Sequence, residues 1–424
     1  MMVALITLII SGLLQGTPPD SLSLQQGYEL ASKNYPVAAN IELQRKITDL
    51  NVKVANAGYY PNLEIGGKAS YQSEVTDFAL PGGGGPPAVS KDQYEASLSV
   101  VQNIYDGGAV DIRKELERAR GQQEVHTSQL ELHQVRKQVD QVYFGILLSQ
   151  QQSRVNDLLI DNLRERLATV RSRVKNGVLL PSQQNILQAE LIKAQQDSSE
   201  LESTIRAGYD VLSEITGVEI PRTTTLSLPE VDIDMQHLQP QRPEYDLFES
   251  RRNAIESQIA LAKTRKLPAI SAFGTTAYGR PGFNFLEDDF HGYYILGLRL
   301  KWNIKDLWSA NREMQALEIQ QQKITHSEQA FTTQMKASLD RIRERITAIR
   351  ENLERDNRII ELREQVVKES ASQLENGVIT ATEYVTELNR ANTARLSLFI
   401  NRVRLAEAQA AYATTLGVPF QQNQ

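Results

Sequence analysis

The chain has 424 residues, 23% of them charged and 6% aromatic, with a formal net charge of −6 and a mean hydropathy of −0.39. This acidic balance, with basic residues interleaved, predicts no nucleic-acid partner. The sequence has no cysteine, which excludes disulfides, thiol catalysis, cysteine metal sites and a lipid-anchored cysteine. The histidines form no metal-ligating pattern, and no phosphate loop or nucleophile elbow is present. We therefore expect no enzymatic activity, no cofactor and no metal.

The first segment, residues 1–16, contains an apolar run from Met2 to Leu14. This run is short for a membrane helix and is typical of a signal-peptide core, although a charged start and an Ala-x-Ala cleavage site are missing. We expect a signal peptide and export. The alternatives are an amino-terminal anchor or a misassigned start codon.

A helical region over 22–58, interrupted at Pro36, leads into two predicted strands at 62–72 and 94–104. A second helix over 244–266 leads into strands at 269–279 and 293–303. Leu63, Ile65, Ala69 and Tyr71 alternate with polar residues, so each strand has one apolar face. About 11 residues suffice for a tilted strand to cross a bilayer. Because nothing else in the chain could cover the apolar face, transmembrane strands are favoured over a soluble β-ribbon.

Aromatic residues stand near the strand ends, as expected for side chains at the two membrane–water interfaces. The predicted membrane-interface aromatics are Tyr59, Tyr60, Tyr105, Tyr293, Tyr294, Trp302 and Trp308.

Each strand pair is followed by two helices of unequal length. The long helices are predicted over 108–175 and 308–375, and the return helices over 179–215 and 379–415. Heptad spacing of apolar residues in the first long helix indicates coiled-coil packing, interrupted by a polar middle at Ser149, Ser153 and Asn156. The return helices are too short to match the long ones. We expect the helices that precede the strands to stack end to end on the return helices, so that each half has two full-length columns.

The second half of the chain repeats the first. Asn103-Ile104-Tyr105-Asp106 corresponds to Asn303-Ile304-Lys305-Asp306, and Lys175-Asn176-Gly177-Val178 corresponds to Glu375-Asn376-Gly377-Val378, both at an offset of 200. The predicted organisation is a first repeat over 17–220, a linker over 221–243, a second repeat over 244–418 and a tail over 419–424. The fold class is mainly α with transmembrane β.

Four strands cannot close a membrane barrel, and an open sheet edge in hydrocarbon leaves backbone groups unsatisfied. Two chains would supply eight strands, whose barrel interior is filled by side chains. Three chains would supply twelve strands and twelve helical columns, enough for a wet channel. The expected assembly is a homotrimer with a 12-strand β-barrel continued by a 12-column α-helical barrel.

The repeated plan and its tip sequences resemble the TolC-type outer-membrane efflux protein family over essentially the whole mature chain. The resemblance implies an outer-membrane exit channel of a tripartite efflux or type I secretion system, with its helical part in the periplasm and its strands in outer-membrane lipid. Its partners would be a periplasmic adaptor protein and an inner-membrane transporter. The adaptor would dock at the two tips, which comprise Asn176, Gly177, Val178, Leu179, Asn376, Gly377, Val378 and Ile379.

The resemblance also implies a periplasmic gate. Glu383 lies six residues after the second tip glycine, where the family commonly has an acidic residue facing the lumen, and Gln183 is its counterpart in the first repeat. The alternative is that Glu383 is an ordinary solvated helix residue. For the whole chain, the alternative function is a structural periplasmic coiled-coil adaptor or spacer protein.

Overall fold

The computed structural model describes residues 20–75, 90–229, 239–284 and 287–418. The predicted signal peptide, the predicted tail and residues 230–238 of the predicted linker lie outside these ranges.

The order of strand pair, long helix and return helix occurs twice, preceded by two helices in the first half and by one in the second. The first repeat contains β1 (Ser21–Leu22), α1 (Leu24–Asn34), α2 (Pro36–Asn56), β2 (Asn62–Tyr71), β3 (Asp92–Tyr105), α3 (Ala109–Lys175) and α4 (Pro181–Thr216). Strand β4 (Thr225–Leu226) lies in the predicted linker, and the second repeat contains α5 (Pro243–Thr264), β5 (Ala269–Arg280), β6 (His291–Lys301), α6 (Asp306–Glu375) and α7 (Ala381–Leu416). Helix α1 ends just before Pro36, where the sequence predicts an interruption, because the residue before a proline disfavours the helical conformation. The strands β1 and β4 were not predicted; they pair in parallel.

The described residues group into two compact units, and each unit contains parts of both repeats. One comprises residues 20–39, 128–229, 239–243 and 331–418, and is called here the tip unit. The other comprises 40–127 and 244–330 within the described ranges, and is called the sheet unit.

The sheet unit is built on four antiparallel strands in the order β2-β3-β5-β6. Its register places Ile65 opposite Leu98, Leu98 opposite Thr276, and Thr276 opposite Tyr294. Since side chains alternate between the faces of a strand, these residues share one face. That face is apolar and none of the described residues covers it, with Ile65 exposed by 87% and Leu296 by 75%.

The opposite face of the sheet is polar and internally bonded. The Ser99 and Thr275 hydroxyls are 3.2 Å apart, and the Tyr293 hydroxyl donates to Glu95 Oε2 at 3.0 Å. Tyr293 was expected beside Tyr294 at the membrane interface. The register places the two on opposite faces, so Tyr293 belongs to the polar face and only Tyr294 to the apolar one.

The tip unit has a core along the facing helices. Tyr143 of α3 is fully buried, and its hydroxyl lies 2.8 Å from the Leu22 carbonyl oxygen and 2.7 Å from that of Ser227. The carboxyl ends of the return helices α4 and α7 contact the residues that come just before α2 and α5. Asn34 Nδ2 donates to the Thr216 carbonyl at 3.0 Å, and the Gln241 N–H donates to the Leu416 carbonyl at 2.7 Å. In the described part of the chain, no helix has both the length and the hydropathy of a membrane span.

Candidate functional site at the helical tips

Both long helices end in the same hydrogen-bonded turn. Gly177 has φ of 72°, and Gly377 has φ of 71°. The Val178 N–H donates to the Arg173 carbonyl and the Gly177 N–H to the Val174 carbonyl, at 2.9 and 3.0 Å. The second tip repeats both bonds at 2.9 and 3.1 Å. This is the Schellman arrangement, in which a glycine takes the left-handed conformation and the final carbonyls of the helix are satisfied.

The tip residues differ in their exposure. Val178 and Val378 are exposed, together with both tip asparagines and both tip glycines. Leu179 is buried and Ile379 is packed against the same core, although both belong to the predicted docking tips. The cause is the turn itself, which directs Leu179 back between the helices. Leu180, which the sequence analysis passed over, is 67% exposed instead.

A hydrophobic cluster joins the two tips below these turns. It contains Leu163, Leu167 and Val170 of α3, Leu187 and Leu191 of α4, and Leu374, Tyr384 and Leu388 of α6 and α7, among others. The two tips therefore share one core within a single chain. Changes at one tip are expected to reach the other through this packing.

The two return helices begin differently. Thr380 caps α7: its hydroxyl accepts from the Glu383 N–H at 3.3 Å, while a Glu383 carboxylate oxygen accepts from the Thr380 N–H at 2.7 Å. This is a complete capping box. At the corresponding place in α4 the N-cap is Leu180, which makes no side-chain cap bond, and Pro181 follows it. A leucine at a helix N-cap, where a polar residue would stabilise the helix, is unusual. This feature of the sequence could have identified Leu180 as an exposed tip residue.

Gln183 occupies the position in α4 that Glu383 occupies in α7, but its side chain bonds to the other repeat. Its Oε1 accepts from the Ala381 N–H at 3.2 Å, at the first turn of α7. Gln183 therefore links the two tips, whereas Glu383 closes the cap of its own helix.

Charged and polar side chains add further links between the repeats. The Arg166 guanidinium of α3 bonds to the Glu375 carboxylate at the end of α6 and lies over the Tyr384 ring, 5.8 Å from its centroid. Asn389 Nδ2 donates to Glu190 Oε1 at 3.1 Å. These links and the Gln183 bond hold the α3–α4 hairpin against the α6–α7 hairpin.

Glu383 is exposed and remains charged. The backbone and side-chain hydrogen bonds from Thr380 hold the pKa of its carboxyl below the ordinary value. It lines a shallow pocket with Glu369, Glu387 and Arg390. Glu387 is already paired, because Arg363 Nη1 lies 3.2 Å from its carboxylate and Arg390 bonds to it as well. Among the described residues, no cluster of His, Asp and Glu has metal-binding geometry.

The predicted interface aromatics are mostly exposed in the sheet unit. Tyr59, Tyr60, Tyr105, Trp302 and Trp308 lie at the end of the sheet that adjoins the helices, and each is exposed by at least 44%. Trp302 Nε1 donates to the Lys266 carbonyl at 3.2 Å.

At the other end of the sheet, the apolar face carries a second aromatic group that was not predicted. Its members are Tyr71, Tyr94, Tyr278 and Phe290, with Phe290 stacked on Tyr94 and Tyr278 at 6.4 and 5.8 Å.

The comparisons with known proteins agree on one kind of protein. The model of the outer membrane efflux protein family matches residues 27–218, which is the first repeat. No curated protein sequence matches the chain. Among solved structures, CusC, a protein that forms a transmembrane channel, has a TM-score of 0.74 at 14% identity, covering 96% of this chain and 95% of its own.

Two further solved structures extend the likeness. VceC, an outer membrane protein of Vibrio cholerae, has a TM-score of 0.71 at 13% identity, covering 94% of this chain and 97% of its own. The CmeC outer membrane channel of Campylobacter jejuni has a TM-score of 0.72 at 11% identity, covering 100% of this chain and 94% of its own. At these identities the structures show a shared fold. The resemblance predicted from the repeat and the tips is thus confirmed: the first repeat matches the outer membrane efflux protein family, and the chain shares its fold with these solved structures along nearly its whole length.

Proposed function

We propose that this protein is the exit channel of a tripartite efflux or type I secretion system, a passive conduit across the outer membrane. The observation that carries the proposal is the four-stranded antiparallel sheet, whose apolar face no described residue covers, in a chain whose first repeat matches the efflux family. An apolar face of that size is costly in water and is stabilised in lipid. A periplasmic adaptor or spacer has no use for such a face, so the alternative function is not favoured.

The sheet also supports the proposed trimer. Within the described residues its outer strands, β2 and β6, each pair on one side only. Backbone groups on those edges need partners in a membrane. Three copies joined β2 to β6 would close a twelve-strand barrel around a wet interior, whereas two copies would close one filled by side chains.

The two faces of the sheet then have separate roles. The face with Ile65, Leu98 and Leu296 would contact lipid, and the aromatics at its two ends would lie at the membrane interfaces. The face with Glu64, Lys68 and Glu95 would line the channel and keep it wet. The helical hairpins would continue the channel as twelve columns into the periplasm.

The helical tips are proposed to receive a periplasmic adaptor, which connects the channel to an inner-membrane transporter that supplies the energy. The exposed apolar side chains of Val178, Leu180 and Val378 offer the contact area, and both glycine turns present backbone without side chains. Leu179 and Ile379 are proposed to support the tips from inside.

Glu383 is proposed to contribute to a gate close to the tips. Three copies would place three carboxylates around the axis, provided that their side chains face the lumen, and such a ring favours cations. The low pKa of Glu383 supports a ring that stays charged at neutral pH.

Reconstitution of the purified protein in planar lipid bilayers tests the proposal. A channel should give stepwise, reproducible conductance and should require detergent or lipid to stay in solution. A protein that stays soluble and monodisperse without detergent, and gives no conductance, would favour the adaptor alternative.

A further inference from the structure

The polar face of the sheet carries two positive side chains that have no counter-ion. Arg299 and Lys301 are two residues apart on β6, so both lie on the face that also carries Tyr293. Both are exposed, and among the described residues no carboxylate pairs with either of them and their side-chain donors make no hydrogen bond. The sheet therefore presents two uncompensated charges about 7 Å apart along one strand, at about 3.4 Å per residue.

The strand register explains why these charges stay unpaired. Ser271 lies opposite Arg299, and Ala269 lies opposite Lys301, so neither cation faces a carboxylate across the strand pair. Glu64, on the same face, aligns with β6 four residues before Arg299. Four residues along the sheet and three strands across it separate the two Cα atoms by about 20 Å.

An aromatic ring holds the Arg299 guanidinium where a carboxylate would otherwise do so. Arg299 Cζ lies 4.9 Å from the centroid of the Phe273 ring. Gly297, directly opposite Phe273, leaves room for this ring, because a Cβ added at Gly297 would meet two ring atoms at 2.9 Å. A guanidinium stacked on an aromatic face keeps its charge and the N–H donors at its edge. The ring therefore orients these donors without neutralising them.

The chemistry of this pair of cations selects a class of ligand. A planar guanidinium presents paired N–H donors that match two oxygens of a carboxylate or a phosphate. A carboxylate would use both of its oxygens on the guanidinium of Arg299, whereas a phosphate has further oxygens for the Lys301 ammonium. Two positive charges at this spacing also favour an anion that carries more than one negative charge.

We infer that Arg299, Lys301 and the Phe273 ring form a binding site for a soluble polyvalent phosphate anion. Because the site lies on the polar face of the sheet, its ligand is a dissolved anion and not a lipid headgroup. The site is contained in one chain, and its position in a conducting lumen rests on the proposed function. In that channel, three copies would place three such sites at one level, where phosphorylated solutes would bind as they pass.

Binding is tested by isothermal titration of the purified full-length protein in a nonionic detergent, with inorganic tripolyphosphate as the probe. The wild type should bind it, and Arg299→Gln should weaken binding about tenfold or more, since the charge-assisted bonds are lost. Arg299→Lys keeps the charge without the paired donors, and Phe273→Leu keeps the guanidinium without the ring. Each of these two variants should weaken binding about threefold to tenfold.

Two further variants make the test specific. Lys91→Gln is the matched control, because it removes one charge from an exposed lysine just before β3, at the opposite end of the sheet from Lys301. It should change the binding constant by less than about twofold, because salt screens charges beyond about 10 Å. Gly297→Ala replaces Phe273→Leu if that variant does not assemble, since the added Cβ displaces the ring.

The position of the site is tested in planar bilayers. Tripolyphosphate added to the aqueous phase should block the conductance of the wild type, and the half-blocking concentrations of the variants should follow the order of their binding constants. Arg299→Gln should also shift the reversal potential under a salt gradient towards cation preference.

Three results would overturn the inference. The first is an assembled wild type that does not bind tripolyphosphate. The second is an equal loss of binding in Lys91→Gln and Arg299→Gln. The third is wild-type binding in both Arg299→Lys and Phe273→Leu, which would show that only the overall charge matters.

The two measurements also separate this inference from the proposed function. Binding without block of a conducting channel would place the site outside the lumen and contradict its assignment to a dissolved anion. A protein that binds tripolyphosphate in the predicted order of variants but never conducts would support the site and contradict the proposed function.

Discussion

Gln183 Oε1 accepts a hydrogen bond from the Ala381 N–H at 3.2 Å, so a side chain of the first repeat caps a helix of the second. The duplicated position, Glu383, bonds to Thr380 within its own helix. Equivalent places in the two repeats thus have different partners. The tips are a linked pair in which the first repeat supports the second.

Gln183→Leu should loosen the start of α7, because the Ala381 N–H loses its acceptor. A lost helix cap costs about 0.5–2 kcal/mol. We expect amide hydrogen exchange over residues 379–384 to be about fivefold faster, which corresponds to about 1 kcal/mol. Gln183→Glu keeps an acceptor and should retain wild-type exchange there. Gln184→Leu is the matched control one position along, and an equal acceleration in this control would show that the measured effect is general to α4.

Glu383→Gln should separate charge from capping, because glutamine can also complete a capping box. We expect reduced cation selectivity and weaker block by multivalent cations, with unchanged assembly, measured as reversal potential under a salt gradient. Glu383→Lys should shift selectivity towards anions, and Gln183→Glu should strengthen cation preference. If the cation selectivity of all three variants equals that of the wild type, Glu383 belongs to a solvated outer face and the gate proposal is wrong.

Gly377→Pro should abolish export while the trimer still reaches the membrane, because proline cannot adopt φ of 71° and the tip turn would be lost. Gly377→Ala should act more mildly, at about 1–2 kcal/mol of local strain, since no atom lies within 4 Å of the added Cβ. Gly145→Ala is the control: its surroundings are equally open but it lies within α3, where alanine is favourable. Normal export by assembled Gly377→Pro would argue against docking at this turn.

Asp140 should make the tip unit more stable at mildly acidic pH. Burial raises the pKa of its carboxyl to about 6, while the Tyr28 hydroxyl bonds to it. Between the unfolded pKa of about 4 and the folded value, the folded state binds the extra proton, so stability falls as pH rises through this window. The Asp140 contribution should be about 1 kcal/mol more favourable at pH 5 than at pH 7. Tm should rise when the pH is lowered from 7 to 5, and this rise should be smaller in Asp140→Asn than in the wild type. An equal rise in the variant would show that other groups cause the pH dependence.

Much of the fold could be predicted from local patterns. The strand faces follow from alternation, the tip turns from Asn-Gly at the end of a heptad pattern, and the pairing of repeats from matched sequences at a constant offset. Each depends on neighbours in sequence or on a repeated unit. The aromatic group of Tyr71, Tyr94 and Tyr278 could also have been predicted, because alternation along the sequence places Tyr71 and Tyr94 on the apolar sides of their strands.

The remaining features depend on contacts between distant segments. Leu179 and Leu180 are adjacent leucines, and only the turn geometry decides that the first is buried and the second exposed. The bond from Gln183 to Ala381 joins residues 198 positions apart. Tyr293 and Tyr294 were assigned together because both stand near a strand end, whereas the strand pairing places them on opposite faces of the sheet. The register and the turn geometry, which composition does not specify, determine these details.

The mass of the detergent-solubilised assembly tests the central claim most directly. Light scattering corrected for bound detergent, or native mass spectrometry, should give three times the mass of one copy, and these 424 residues have a mass of 47.6 kDa. A trimer would support closure of the four-stranded sheets into one channel. A monomer or a dimer in a protein that still conducts would contradict it.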